Sequence, residues 1–86
     1  MKYIISLEVA DFDKFKSLFD SRESHRSAAG LTATAYRNLD VPNNPCVIGT
    51  GSKEVLLAFL SDPDQQAAMK EGGILAPPKI TFLEEA

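Results

Sequence analysis

The first nine positions alternate between apolar and other residues, a period of two that predicts a β-strand over residues 2–9. One face of this strand is uniformly apolar, whereas the other is mixed and carries Ser6 and Glu8. The apolar spacing then changes to three and four, which predicts a helix beginning after the N-cap candidate Asp11. Its apolar positions are Phe12, Phe15, Leu18 and Phe19, continued by Ala28 and Ala29. Gly30 provides the stop, because glycine readily adopts the left-handed conformation.

Two strands and two helical segments follow. Residues 31–38 alternate again, and a turn-forming stretch over 40–45 separates them from a short third strand, Cys46–Thr50. Strands joined this closely are antiparallel neighbours. Ser52 is an N-cap candidate for the next helix, which spans Lys53–Ser61.

Asp62 is a cleaner helix-start signal than Ser52. Pro63 follows at the first helical position, and Gln65 is placed to complete a capping box. This helix is predicted to run to about residue 71, where a Gly-Gly pair ends it. A Pro-Pro pair then prevents further helix, and residues 79–84 form a closing strand.

The predicted order is β-α-β-β-α-β, with the second helix divided in two. Right-handed crossovers make this a single α+β domain over residues 1–86 with the ferredoxin-like arrangement, the first and third strands being central and the helices lying on one sheet face. A short chain has little core to cover a second face. We therefore expect a homodimer packed sheet to sheet. Tyr3, Ile5 and Leu7, on the uniformly apolar strand face, are expected at that interface.

Composition narrows the possible functions. The 86 residues include 9 Lys+Arg and 12 Asp+Glu, and the net charge of −3 argues against nucleic acid and anionic membranes as partners. One cysteine excludes an internal disulfide, and one histidine with one cysteine excludes the usual zinc clusters. No apolar stretch approaches the ~20 residues of a membrane span. With no export signal visible, the cytoplasm is the expected compartment.

Two arginines occupy unexpected positions on the first predicted helix. Arg22 and Arg26 fall within its apolar stripe, and a buried charge without a partner is costly. Both side chains could reach water, or pair with Glu8 or Glu84. Alternatively they line the cleft between helix and sheet and hold an anionic or carbonyl oxygen, which suits the planar guanidinium. The third interpretation is a salt bridge between subunits. Glu8 is the favoured counter-ion.

Other side chains complete the candidate site. Ser6 and Glu8 would face the cleft with the arginines if the mixed strand face lay there. His25, at the edge of the apolar stripe, is either a general base or a surface residue. Tyr36 is either a hydrogen-bond donor to a ligand or an amphipathic surface residue. Cys46 has no basic neighbour and is expected to act as a small buried hydrophobe.

The segments over residues 11–16, 26–31 and 76–84 resemble small dimeric α+β barrel proteins related to the antibiotic-biosynthesis monooxygenases. The resemblance implies two sheets packed face to face, helices outside and a cleft in each subunit. Some relatives oxidise polyketide-like aromatics without a cofactor, some degrade haem, and others only bind or associate. Many carry His four residues before Arg, whereas here Arg22 stands in that position before Arg26. The chain also has no Trp. Both departures argue against inherited oxygenase chemistry.

Two functions remain open, and neither calls for a metal or a cofactor. The first is a homodimeric protein that binds a small organic ligand without turnover, with a cleft filled by Phe15, Phe19 and Leu57 and the arginines at its rim. The second is a cofactor-independent monooxygenase or a related enzyme. In that case Arg22 and Arg26, assisted by Tyr36, would polarise an oxygen of an enol or phenol. That reaction requires a closed cavity of ligand size.

Overall fold

Four antiparallel strands form one sheet, in the order β2-β3-β1-β4, with the helices on one of its faces. The computed structural model describes residues 1–86. The elements are β1 (Lys2–Ser6), α1 (Phe12–Ser21), α2 (Glu23–Ala28), β2 (Thr32–Tyr36), β3 (Cys46–Thr50), α3 (Lys53–Ser61), α4 (Pro63–Glu71) and β4 (Lys79–Leu83). The first and third strands are central, so the predicted ferredoxin-like α+β fold is confirmed. None of the helices has the length and apolar content needed to cross a bilayer.

The strand register sorts the side chains into a helix-facing side and an outer side. Across the helix-facing side, Tyr3 pairs with Gly49 and Phe82, and Ile5 pairs with Val47 and Ile80. Tyr3, Ile5 and Leu7 are buried in the core beneath the chain's own helices. The expectation that these three residues meet a second copy is therefore wrong. The uniformly apolar strand face packs against apolar side chains of the helices, and the mixed face points outward.

Regular pairing of β1 ends at Ser6, although alternation was predicted to continue to residue 9. Leu7 N donates to Pro45 O at 3.1 Å, and proline has no N–H to return that bond. Val9 N still donates to Asn43 O at 2.9 Å. Leu7 and Val9 are both buried, so the alternation of faces continues beyond the ladder.

The first predicted helix is interrupted at Arg22, whose backbone has φ −98° and ψ 5°. Just before the break, Ser21 Oγ donates to Leu18 O at 2.7 Å. A serine that bonds back to its own helix competes with the backbone ladder and favours a bend. The segment after the break, α2, buries a single residue, Arg26.

At the start of α3 and of α4 the predicted N-caps form, but the predicted capping box does not. Asp62 Oδ1 accepts from Asp64 N at 2.9 Å and caps α4, and Ser52 Oγ accepts from Val55 N and caps α3. The capping box with Gln65 does not form. Gln65 Oε1 instead accepts a hydrogen bond from Arg22 Nε at 2.9 Å, which ties α4 to the break in the first helix.

Candidate functional site

Two small adjoining cavities lie between the helices and the sheet. The larger has about 60 Å³ of internal room, and 13 of its 16 lining residues are hydrophobic. The smaller has about 40 Å³. The side chains that border both cavities are Phe15, Phe19, Arg26, Gln65, Met69 and Ile74. Any molecule held here would therefore contact mostly apolar surface and very few polar groups.

Arg26 is the charged residue of the larger cavity, and it is only 5% exposed. Its guanidinium carbon lies 3.8 Å from the centre of the Phe19 ring, a cation–π contact. Its Nη2 donates to Glu23 Oε2 at 3.0 Å. Its Nε is buried and has no hydrogen-bond partner. An aromatic face stabilises the charge but offers this N–H no acceptor in the guanidinium plane, so one strong donor is left free.

Arg22 is half-buried and borders only the smaller cavity. Besides its bond to Gln65, its guanidinium carbon lies 5.8 Å from the centre of the Phe59 ring. Both arginines thus lie in the cleft, as one of the three interpretations predicted. The favoured pairing with Glu8 is wrong, and so is the alternative with Glu84. Arg26 pairs with Glu23, one turn away on its own helix, and Arg22 pairs with a neutral amide.

The remaining predicted site residues lie away from the cavities. Ser6 and Glu8 are on the outer side of the first strand, where Ser6 Oγ is 3.4 Å from Asn44 Oδ1 and Glu8 is exposed. Tyr36 is also on the outer side and is 51% exposed. His25 is exposed on α2. The mixed strand face points outward, so Ser6, Glu8 and Tyr36 are not brought together with the arginines. His25 lines an open surface depression with Arg22, outside both cavities.

Cys46 lies half-buried on the outer side of β3. Burial raises the pKa of its thiol, which keeps the sulfur protonated and unreactive near neutral pH. The unreactive thiol fits the sequence-based interpretation, but the expected full burial is wrong, because Cys46 lies on the open side of the sheet.

Tyr3 borders the larger cavity and was not predicted there. Its hydroxyl donates to Thr32 O at 2.7 Å. Burial raises the pKa of this phenol, and the nearby Arg26 charge opposes that shift only in part. Tyr3 therefore stays neutral, with its proton committed to the backbone. The strand alternation places Tyr3 on the same face as Ile5. Assigning the helices to that face would have located Tyr3 correctly at the cavity.

Several solved structures resemble this chain in backbone fold, although their sequences differ. No protein-family model matches the chain, and no curated protein sequence matches it. An antibiotic-biosynthesis-monooxygenase-like protein from Bordetella bronchiseptica aligns over 99% of this chain and 95% of its own, with 15% identity and a TM-score of 0.81. One from Caulobacter crescentus aligns over 99% and 88%, with 17% identity and a TM-score of 0.76. SnoaB, a cofactor-independent oxygenase from Streptomyces nogalater, aligns over 99% and 93%, with 13% identity and a TM-score of 0.73.

The chain has the antibiotic-biosynthesis-monooxygenase-like fold. Sequence identities of this size show a shared backbone arrangement and carry no residue roles, so any function depends on the side chains of this chain's own cavity. The room of about 60 Å³ is well below the roughly 300–1,000 Å³ of common ligand pockets. In this arrangement the cavity suits a molecule of a few heavy atoms rather than a fused aromatic system.

Proposed function

We propose that this protein binds a small organic molecule in the larger cavity and that Arg26 holds an oxygen atom of that molecule. The observation that carries the proposal is the buried Arg26 Nε–H, which lacks an acceptor. A buried donor left unsatisfied costs about 1–3 kcal/mol, and an accepting oxygen on a ligand would remove that cost. An apolar lining with a few placed polar groups is typical of small-molecule sites.

The direct test is a titration with two small probes, 2-butanone and propionate, followed through the backbone amide resonances of Leu56 and Ile74. We expect at least one probe to bind the wild type. Arg26→Gln should weaken that binding by about ten- to hundredfold, because a hydrogen bond from a charged donor contributes about 1.5–3 kcal/mol. Arg37→Gln is the matched control, since Arg37 is exposed and stacks on Phe12 outside both cavities. If neither probe binds the wild type, the proposal is refuted.

The binding protein we propose is a homodimer that packs through the outer side of its sheet. Ile4 and Ile48 pair directly across the two central strands on that side. Tyr36 and Leu83 extend the apolar surface toward the two edges and are 51% and 38% exposed. A mixed sheet face with an apolar centre, left open in one chain, is the kind of surface that a second sheet covers.

Ile48→Glu is expected to convert the dimer to monomers. It would place a charge at the centre of the proposed interface, where losing its water costs several kcal/mol. Leu39→Glu makes the same chemical change at a residue that is 90% exposed in the β2–β3 connection, and it should leave the mass unchanged. Light scattering at micromolar concentration should give about twice 9.4 kDa for the wild type and about 9.4 kDa for Ile48→Glu. A monomeric wild type would contradict the dimer.

A second candidate function is cofactor-independent oxygenation, favoured by the fold shared with SnoaB. In that role Arg26 would stabilise the anion of an enol or phenol before it reacts with molecular oxygen. The helices would first have to move apart, because the cavity is too small for a fused aromatic substrate. Oxygen uptake with a dihydroxynaphthalene, abolished in Arg26→Gln, would support turnover over binding alone.

A further inference from the structure

We infer that the molecule held by Arg26 is an uncharged carbonyl compound rather than a carboxylate. This inference rests on the proposed function and specifies its ligand class. The charge balance around Arg26 favours a neutral ligand. The Arg26 guanidinium is already neutralised by Glu23, at 3.0 Å from Nη2 to Oε2. A carboxylate in the cavity would add a second negative charge beside a guanidinium that Glu23 already pairs with, whereas a carbonyl oxygen adds no charge.

The other nearby cation does not change this balance. Arg22 borders only the smaller cavity and gives its Nε–H to Gln65. On its other side it lines an open surface depression together with Asp62 and Asp64. Its charge therefore lies close to water, and it is weakly felt inside the larger cavity.

Most polar side-chain groups around the larger cavity already have hydrogen-bond partners. The Tyr3 proton is committed to Thr32 O, and Gln65 Oε1 is occupied by Arg22. The buried polar side-chain atom left without a partner is Arg26 Nε, which is a donor. A ligand must therefore accept hydrogen bonds and need not donate any. A carbonyl oxygen does this with two lone pairs and brings no proton that requires a partner.

The volume and the hydrophobic lining of the larger cavity also restrict the ligand. With about 60 Å³ available and a lining that is mainly hydrophobic, the ligand has room for one accepting oxygen and a short apolar group. 2-Butanone and propionate match this description, and they are close in shape. They differ in charge, so their comparison isolates the electrostatic argument.

The experiment compares the two dissociation constants at constant ionic strength, in the wild type and in Glu23→Gln. The wild type should bind 2-butanone about tenfold more tightly than propionate. Glu23 is 59% exposed, and glutamine keeps a side-chain oxygen that can accept from Arg26 Nη2, so Glu23→Gln should keep the native fold at some cost in stability. It leaves Arg26 without a counter-ion and should tighten propionate by about tenfold, which removes or reverses the preference. Asp20→Asn removes one charge from the exposed pair with Lys16 and should preserve the wild-type ranking.

The possible outcomes separate this inference from the proposed function. Tighter binding of propionate by the wild type would overturn the ligand class and leave the binding site standing. An unchanged ranking in Glu23→Gln would overturn the inference as well, because Glu23 would not be setting the selectivity. No response to either probe would refute the proposed function and the inference with it.

Discussion

Replacing Gly49 with alanine should destabilise the protein by at least about 3 kcal/mol. Gly49 lies in β3 directly opposite Tyr3, and the hydroxyl end of the Tyr3 ring lies against it. A methyl group at this position would collide with the Thr32 carbonyl oxygen and would lie 2.6 Å from Tyr3 Oη. The first of these atoms belongs to the backbone of the neighbouring strand, so it cannot move without breaking the ladder. The requirement for glycine is therefore steric.

The effect should be visible as a loss of more than about 10 °C in melting temperature, followed by circular dichroism. Gly72→Ala is the control, because Gly72 has φ −71° and its added methyl group would meet Ala68 O at 3.3 Å and Leu18 Cβ at 3.5 Å. That substitution should change stability by less than about 1 kcal/mol. A melting temperature for Gly49→Ala within a few degrees of the wild type would show that Tyr3 and Thr32 do not enforce this packing.

The order of elements and the helical stripe could be predicted from the sequence because both depend on local periodicity. Spacings of three and four placed Arg22 and Arg26 on the inward side of the first helix, and both lie in the cleft. A period of two, in contrast, separates two strand faces without saying which one the helices cover. That is why Tyr3 was assigned to a dimer interface and Glu8 to the cleft, each on the wrong side of the sheet.

The side chains that pair with Arg22 and Arg26 could not be chosen from the sequence alone, because several candidates were within reach of each arginine. The pair of Glu23 with Arg26 has a helical spacing of three, which the sequence does contain. A helical stripe that faces the sheet instead suggests partners on or beside the strands, which is why the sequence favours Glu8 and Glu84. Gln65 can bond either to its own helix start or to a neighbouring helix, and only the packing of α4 against Arg22 decides between them.

Phe15→Ala is expected to lower the free energy of unfolding by about 3–5 kcal/mol. Phe15 is 5% exposed, and its ring centre lies 6.1 Å from that of Phe12 and 5.8 Å from that of Phe19. Its side chain borders both cavities, so removing the ring should join them into one larger space. Phe12→Ala is the control, because Phe12 is half-buried, borders neither cavity and should cost less.

The joined cavity gives this prediction a second readout that a general loss of packing would not produce. Acetophenone, an aromatic ketone, should raise the urea midpoint of Phe15→Ala and leave those of the wild type and Phe12→Ala unchanged, since only a ligand that binds the native state stabilises it. Phe15→Leu, which opens less space, provides a folded intermediate if the alanine variant is too unstable to measure. If a folded Phe15 variant shows no gain with acetophenone, then ring volume does not limit ligand size. The packing of the helices against the sheet would then limit the size of the ligand. In that case the oxygenase alternative would require the helices to move for any aromatic substrate.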